Sequence, residues 1–474
     1  MPIPKEILAV ERPKGTVVKY ASNFYYVVKR TSVYKEGRRV PKDLGIVGKI
    51  IDGKFVEKKN VILKNEKSID IKDYGKTAVF EKCSTDILES LKEHFEEKDA
   101  EKLYCIAMLR ATEETLTNRD LKHEYESNYL SVSHPSVGLS ESSMPNFLES
   151  TGMSYLQIEG FMRARVKQSA GNMAVIDGTL KSYNSTKSAF SDWSRKGRIK
   201  GSKDFGLLYS YDLVTHEPIA SKPYTGNMLD STAFLDFIET FSHQNQLLVL
   251  DKGFWTKNSI EAMQAIQGLK YIVPIKHNAK VIQKEQLTTG MQMLNEDKNE
   301  LILYKKVQVK KRFYYAFKNM HDAHIQESAY MLSQKAQMSY DEKEYLKKKE
   351  QFGLIIFESN ADCEPFSIYM AYKERWNIEQ MFKFYKSVLD LPTSSVKNDY
   401  RIYATEFINF LSLLMSCKVK KLFEQTKLSE KYSYKQLTRY LSKAKKCRVF
   451  DDSQTWRNSK NLNYIDHILE VFGI

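Results

Sequence analysis

The chain has 474 residues, with 42% apolar and 28% charged residues, a balance that excludes a disordered chain and at this length implies two to four domains. No apolar run approaches the roughly 20 residues of a membrane span, and Met-Pro-Ile-Pro-Lys-Glu at the start lacks the basic-then-apolar pattern of a signal peptide. The five cysteines (Cys83, Cys105, Cys363, Cys417, Cys447) contain no C-x-x-C pair, which argues against a disulfide framework or a structural zinc site and predicts a reducing, cytoplasmic setting.

The net charge of +14, from 73 Lys+Arg against 59 Asp+Glu, favours a polyanionic partner, most simply nucleic acid. That charge is unevenly spread along the chain. Residues 1–80 carry 18 basic and 9 acidic residues, residues 81–170 carry 10 and 16, residues 171–400 carry 31 and 27, and residues 401–474 carry 14 and 7. The excess is therefore at the two ends, and the middle is nearly balanced.

In chain order, residues 15–65 alternate with a β-like period, as in Thr16-Val17-Val18-Lys19-Tyr20 and Phe24 to Lys29, and predict a small basic β-meander within a domain over 1–80. Residues 81–170 read as helical. Ser84 precedes Ile87, Leu88 and Leu91 at helical spacing, and Leu103, Ile106 and Ala107 repeat the pattern. A polar loop over Ser131–Ser143 separates these from a further helix over Pro145–Lys167. From 171 the pattern changes to α/β. Met173-Ala174-Val175-Ile176 is a short apolar strand ending in Asp177-Gly178-Thr179. A hairpin follows over 205–224, then a helix capped at Asp230-Ser231-Thr232. Leu247-Leu248-Val249-Leu250 is a buried-type strand ending at Asp251, and a helix and the strand Tyr271–Ile275 complete a mixed sheet. Residues 281–357 read as a mainly β insertion, with the sheet resuming at Gly353–Phe357. Residues 171–400 are thus one α/β domain with an insertion, and 401–474 are a basic helical region.

Two carboxylates stand where α/β folds place their ligands. Asp177 and Asp251 each follow an apolar strand, and the C-terminal ends of neighbouring strands open on a shared crevice. Two such acids can share hard divalent cations; Asp after a strand is also a common turn residue. A third element bears on the choice. Tyr372 to Lys386 is predicted as one helix, and at about 100° per residue Tyr372, Arg375, Glu379 and Lys386 fall within roughly a 60° arc. Ile378, Met381, Phe382 and Tyr385 form the adjacent apolar face. A solvated stripe with an Arg375–Glu379 ion pair would show the same pattern.

The spacing Tyr372-x2-Arg375-x3-Glu379-x6-Lys386 resembles the Y-x2-R-x3-E-x6-K signature of bacterial insertion-sequence DDE transposases. Asp177 in Asp-Gly-Thr and Asp251 in Asp-Lys-Gly-Phe resemble that family's first and second Asp, and a β-rich insertion before the Glu is shared. The resemblance covers about 171–415. It implies a ribonuclease-H-like catalytic core and phosphoryl transfer on DNA: hydrolysis at the ends of an insertion sequence frees a 3′-OH, which then joins to target DNA. Such chemistry uses two divalent ions about 3.5–4 Å apart, Mg²⁺ with Mn²⁺ able to substitute. Asp177, Asp251 and Glu379 would hold them, and Tyr372, Arg375 and Lys386 would bind phosphates. The implied partners are terminal inverted repeats, target DNA and a second copy of the chain, in a bacterial cytoplasm at the nucleoid.

Trp255, four residues after Asp251, stands where an aromatic ring would stack on an unpaired base; packing against the following helix is the alternative. Three other functions compete with a transposase. A metal nuclease of the same fold would cut without joining, and a non-catalytic relative would only bind DNA. A carboxylate-pair glycosidase leaves Arg375 and Lys386 unexplained.

Overall fold

The computed structural model describes residues 3–21, 24–35, 38–57, 69–113, 116–182, 192–193, 203–228, 230–295, 300–387, 398–449, 455–459 and 461–474. The chain divides into two compact units, 1–70 with 448–456 and 71–447 with 457–474.

The smaller unit is an antiparallel meander of β1 (Thr16–Ala21), β2 (Phe24–Lys35), β3 (Arg38–Ile51) and β4 (Lys54–Glu57). Alternating apolar residues bury Val18, Val27 and Ile50 as its small core. The β3–β4 turn is Asp52-Gly53, with φ of 48° and 70°. Both positions need the left-handed region, which Asp-Gly supplies at low cost in a two-residue hairpin. Asp43 on β3 accepts from Lys19 and from Arg30, and these cations, Arg30 first, hold its carboxyl down at about 2.

The larger unit begins with helices α1 (Gly75–His94), α2 (Glu97–Thr112), α3 (Met144–Met153) and α4 (Tyr155–Gln168). The helix expected to start at Ser84 starts at Gly75 instead. Ser84 is buried inside it, and its hydroxyl donates back to the Phe80 carbonyl at 2.6 Å and meets the Tyr104 hydroxyl at 2.9 Å. Hydroxyl-to-carbonyl bonding four residues back lets a serine sit mid-helix.

The central sheet follows: β5 (Met173–Ser182), β6 (Lys203–Asp212), β7 (Glu217–Thr225), helix α5 (Asp230–Phe241), β8 (Leu247–Leu250), helix α6 (Lys257–Ala265) and β9 (Lys270–Pro274). The spatial order is β7-β6-β5-β8-β9. The β5–β6 and β6–β7 pairs are antiparallel, while β8 is parallel to both β5 and β9. This mixed sheet with flanking helices is the architecture expected of residues 171–400. The central strands β5 and β8 bury Ala174, Val175, Ile176, Leu248, Val249 and Leu250 completely, as near-continuous apolar runs predict for a two-sided parallel core.

The insertion extends this same sheet. Strands β10 (Ile302–Val309) and β11 (Arg312–Asn319) form a hairpin, and β12 (Leu354–Ser359) lies antiparallel between β11 and β9. The insertion also contains two helices that periodicity did not reveal, α7 (Met320–Gln337) and α8 (Glu342–Lys349). Each is started by a side-chain cap: Asn319 accepts from the His321 and Asp322 amides, and Asp341 accepts from the Lys343 and Glu344 amides. Helix α7 buries only Ala323 and α8 buries nothing, so neither carries an apolar stripe.

Helices α9 (Pro365–Glu374) and α10 (Trp376–Ser387) follow, then the 27-residue α11 (Asp399–Gln425). By length and composition α11 would cross a membrane, but its most apolar window is 89% buried inside the protein. It is the core helix on which α1, α2, α3 and β7 pack. Gly152 on α3 allows the closest approach: a Cβ there would fall 1.8 Å from the Tyr400 carbonyl oxygen.

Candidate active site at the edge of the central sheet

Asp177 lies within β5 rather than after it. The parallel partner β8 ends opposite Ile176, at Leu250, so Asp177 is the first residue past the parallel pairing. The strand runs on because β6 still pairs with it, from Asp177 opposite Tyr209 to Ser182 opposite Asp204. One Asp177 oxygen accepts from the Gly178 amide at 2.8 Å.

Asp251 immediately follows β8 and precedes a short 3₁₀ turn, Lys252–Phe254, without bonding it through its side chain. Phe254 anchors that turn: it is buried, and its ring lies 4.7 Å from that of Phe234 on α5. The Asp-Lys-Gly-Phe sequence is thus a strand end, an exposed turn and a hydrophobic peg. In-register parallel pairing brings Asp177 and Asp251 to the same sheet edge.

The helix expected over Tyr372–Lys386 is two helices meeting at Arg375, whose backbone remains close to helical at φ −51° and ψ −29°. The Ile378 amide bonds the Arg375 carbonyl at 3.1 Å, a tightened three-residue turn. Glu379 falls in the first turn of α10, where the helix dipole favours a carboxylate. Lys386 belongs to the last turn of α10, and its side chain lies outside the described residues.

Arg375 joins the three carboxylates. Its Nη1 lies 3.8 Å from Asp177 Oδ2 and 3.9 Å from Asp251 Oδ1, and its Nη2 lies 3.2 Å from Glu379 Oε1. Behind it, the Tyr372 ring lies 5.4 Å from the guanidinium and 4.8 Å from the Phe357 ring of β12. The sheet thus backs Tyr372, Tyr372 backs Arg375, and Arg375 gathers the acids. Burial raises the Asp177 pKa above the ordinary carboxylate value, opposed by the Gly178 amide and Arg375; Asp251 and Glu379 push it further up. Burial also raises the Tyr372 pKa.

Two clefts flank the carboxylates, and Asp251 lines both. One, of about 460 Å³, opens toward Tyr372, Arg375, Trp376 and Glu379, with Lys252 and His277 on its wall. The other, of about 260 Å³, holds Asp177, Thr179, Leu208, Thr225 and Phe254. Trp255 does not line either cleft. Its indole N–H donates to the buried Glu358 at 3.2 Å, and its ring packs partly buried against the core. Lys252, His277 and the 58%-exposed Trp376 went unnoticed in the sequence, although Lys252 adjoins Asp251 and Trp376 adjoins Arg375.

The donor set is all oxygen, which suits a hard divalent cation. Three carboxylates converge on one guanidinium, so the site is already organised around a positive charge. Among the described residues no three His, Cys, Asp or Glu side chains are close enough to enclose a metal ion as they stand; Arg375 is what these three share.

Comparison with known proteins adds three findings. A family described as the transposase DDE domain matches residues 169–415. No curated protein matches the sequence. Among solved structures, the cryo-EM structure of the piggyBac transposase synaptic complex with hairpin DNA matches at 12% identity and a TM-score of 0.41, over 77% of this chain and 79% of that one.

Proposed function

The chain belongs to the transposase DDE domain family, and from that premise we propose that it cuts DNA at the ends of a mobile element and joins the freed 3′-OH to target DNA. The observation that carries this is the meeting of Asp177, Asp251 and Glu379, from three separate elements, around one arginine within 4 Å.

On this reading the three carboxylates hold divalent ions, Mg²⁺ or Mn²⁺. Bound there, the ions supply activation of the attacking oxygen and stabilisation of the leaving one. Asp177, the least exposed of the three, would hold the ions together with Asp251 from the turn and Glu379 from the helix. Arg375 turns from the carboxylates to a phosphate, a planar fork suited to bidentate contact. Tyr372 supports that guanidinium and donates to a phosphate oxygen, and Lys386 supplies a further cation. The partners are element ends and target DNA, and a second copy of the chain holds the paired ends.

The test is an assay with Mn²⁺ and two substrates, a duplex carrying the element end and the same duplex already cut to expose its 3′-OH. Cleavage of the first and joining of the second, both lost in Asp177→Asn, Asp251→Asn and Glu379→Gln, is the expected result. Cleavage without joining would make the protein a nuclease of the same fold. Activity surviving all three substitutions would refute the site.

A further inference from the structure

The same sheet edge carries charge of the opposite sign. Strand β9 is the third parallel strand, beside β8, and the chain leaves it through Ile275, Lys276, His277 and Asn278. The Ile275 amide still bonds the Ile356 carbonyl of β12 at 2.8 Å, and a turn closes at Ala279, whose amide bonds the Lys276 carbonyl at 2.9 Å. Lys276 is therefore held just past the strand end, exposed, on a segment pinned at both sides. Lys252 starts the turn after β8, next to Asp251. Parallel pairing places these two turns side by side.

Together they form an open groove with His277, Asn278 and Gln351 on its walls. Lys252 and His277 also line the larger cleft that holds Asp251 and Glu379, so groove and cleft are continuous. Among the described residues, neither Lys252 nor Lys276 forms an ion pair or a side-chain hydrogen bond. Two other lysines of this domain are neutralised: Lys306 pairs with Asp362, and Lys373 with Glu300. Two unpaired ammonium groups thus lead to a cluster of carboxylates. Burial, and then Lys252, lowers the His277 pKa.

We propose that Lys252, Lys276 and His277 form a track for the sugar-phosphate backbone of the DNA strand entering the carboxylate centre. The lysines contribute point charges to successive phosphates. His277 and Asn278 contribute hydrogen bonds, and the contacts are to backbone and blind to base sequence. The groove is open along one side, as a continuous polymer requires and a small anion does not. This rests on the transposase reading and assigns to the reaction residues outside the Tyr372, Arg375 and Lys386 set.

The test uses the full chain and a fluorescent duplex with a recessed end, with affinity read by anisotropy across a salt series. Lys252→Gln with Lys276→Gln should make the slope of log affinity against log salt shallower by about 1.5 to 2, and weaken binding near 0.15 M salt on the order of 30-fold. Lys252→Arg with Lys276→Arg, which keeps both charges, should restore the slope. A slope equal to wild type in the Gln pair overturns the track. Nicking of supercoiled plasmid with Mn²⁺ by wild type and by Asp177→Asn is measured in parallel. Nicking by wild type with an unchanged slope refutes the track alone. A lysine-dependent slope without nicking by wild type upholds the track and refutes the cleavage reading.

Discussion

Strand β5 carries two charged clusters four residues apart, on the same face, and they are built in opposite ways. Lys181 lies 2.7 Å from Glu406 of α11, with the two side chains 8% and 1% exposed. Glu406 also accepts from Asn409 at 3.2 Å, and Asn409 in turn accepts from Arg110, which reaches on to Asn118. Lys181 is matched there by Glu406, and the Arg110 guanidinium is answered by the side-chain oxygens of Asn409 and Asn118. At Asp177 a single guanidinium faces three carboxylates at 3.2 to 3.9 Å, with 22%, 46% and 36% of the acid side chains exposed. The first cluster is closed, and removing a partner would strand a buried charge. Among the described residues the second is open and carries more negative than positive charge, which suits added cations. On the proposed reading, a site that binds and releases ions cannot be satisfied by its own protein in the way a scaffold is.

The largest expected effect follows from that surplus. Asp177→Asn removes one of the acids that gather cations and should lower cleavage by several kcal/mol of barrier, about a thousandfold. It should leave the melting temperature unchanged or slightly higher, because like-charge repulsion is relieved. Thermal unfolding beside a nicking assay checks both halves. A lower melting temperature with cleavage intact would make Asp177 part of the scaffold.

Glu406→Ala should do the reverse. It leaves Lys181 buried without its carboxylate, a loss of about 3–5 kcal/mol, read as a large drop in urea midpoint. Replacing both partners, Lys181→Met with Glu406→Leu, should recover most of that loss, because desolvation of both charges is avoided. If the double variant is no more stable than Glu406→Ala, the pair is worth more than a buried ion pair ordinarily is.

Arg375→Gln probes the cluster from its cationic side. Without the guanidinium the three carboxylates repel more strongly, and stability should fall by about 1 kcal/mol in divalent-free buffer. Added Mn²⁺ should raise the melting temperature of this variant more than that of wild type. Equal shifts would show that Arg375 does not occupy the region the ions enter.

Much of this was legible in the sequence because it is local. Short apolar runs ending in Asp177 and Asp251 mark strands at the sheet edge, and the Tyr372, Arg375, Glu379 spacing survives the helix break because Arg375 keeps near-helical angles. What was hidden is tertiary. That Arg375 touches Asp177 and Asp251 depends on strand order, which spacing within one helix does not encode. Lys252 and Lys276 are two of 57 lysines, and only the parallel pairing of β8 with β9 singles them out. Helices α7 and α8 lie on the surface and bury almost nothing, so apolar periodicity had nothing to report.

Trp255 belongs to the same lesson. Placed four residues after Asp251, it suggests a base-stacking ring, yet its partner is Glu358, 103 positions away in sequence. Glu358 is 1% exposed and also receives the Tyr271 hydroxyl at 3.2 Å, the Tyr314 hydroxyl at 3.3 Å and Arg312 at 3.0 Å. This is a closed cluster like that of Lys181, with three other donors around the carboxylate. Trp255→Phe keeps an aromatic ring and removes one of those donors, so the loss should be small, about 1–2 kcal/mol. A scaffold role predicts that melting temperature falls while cleavage per folded molecule stays at wild-type level. A stacking role predicts that binding to substrates with an unpaired base at the cut is kept in Trp255→Phe and weakened in Trp255→Ala. Comparing Phe and Ala variants on duplexes with and without that unpaired base separates the two, because only stacking makes the difference depend on the DNA.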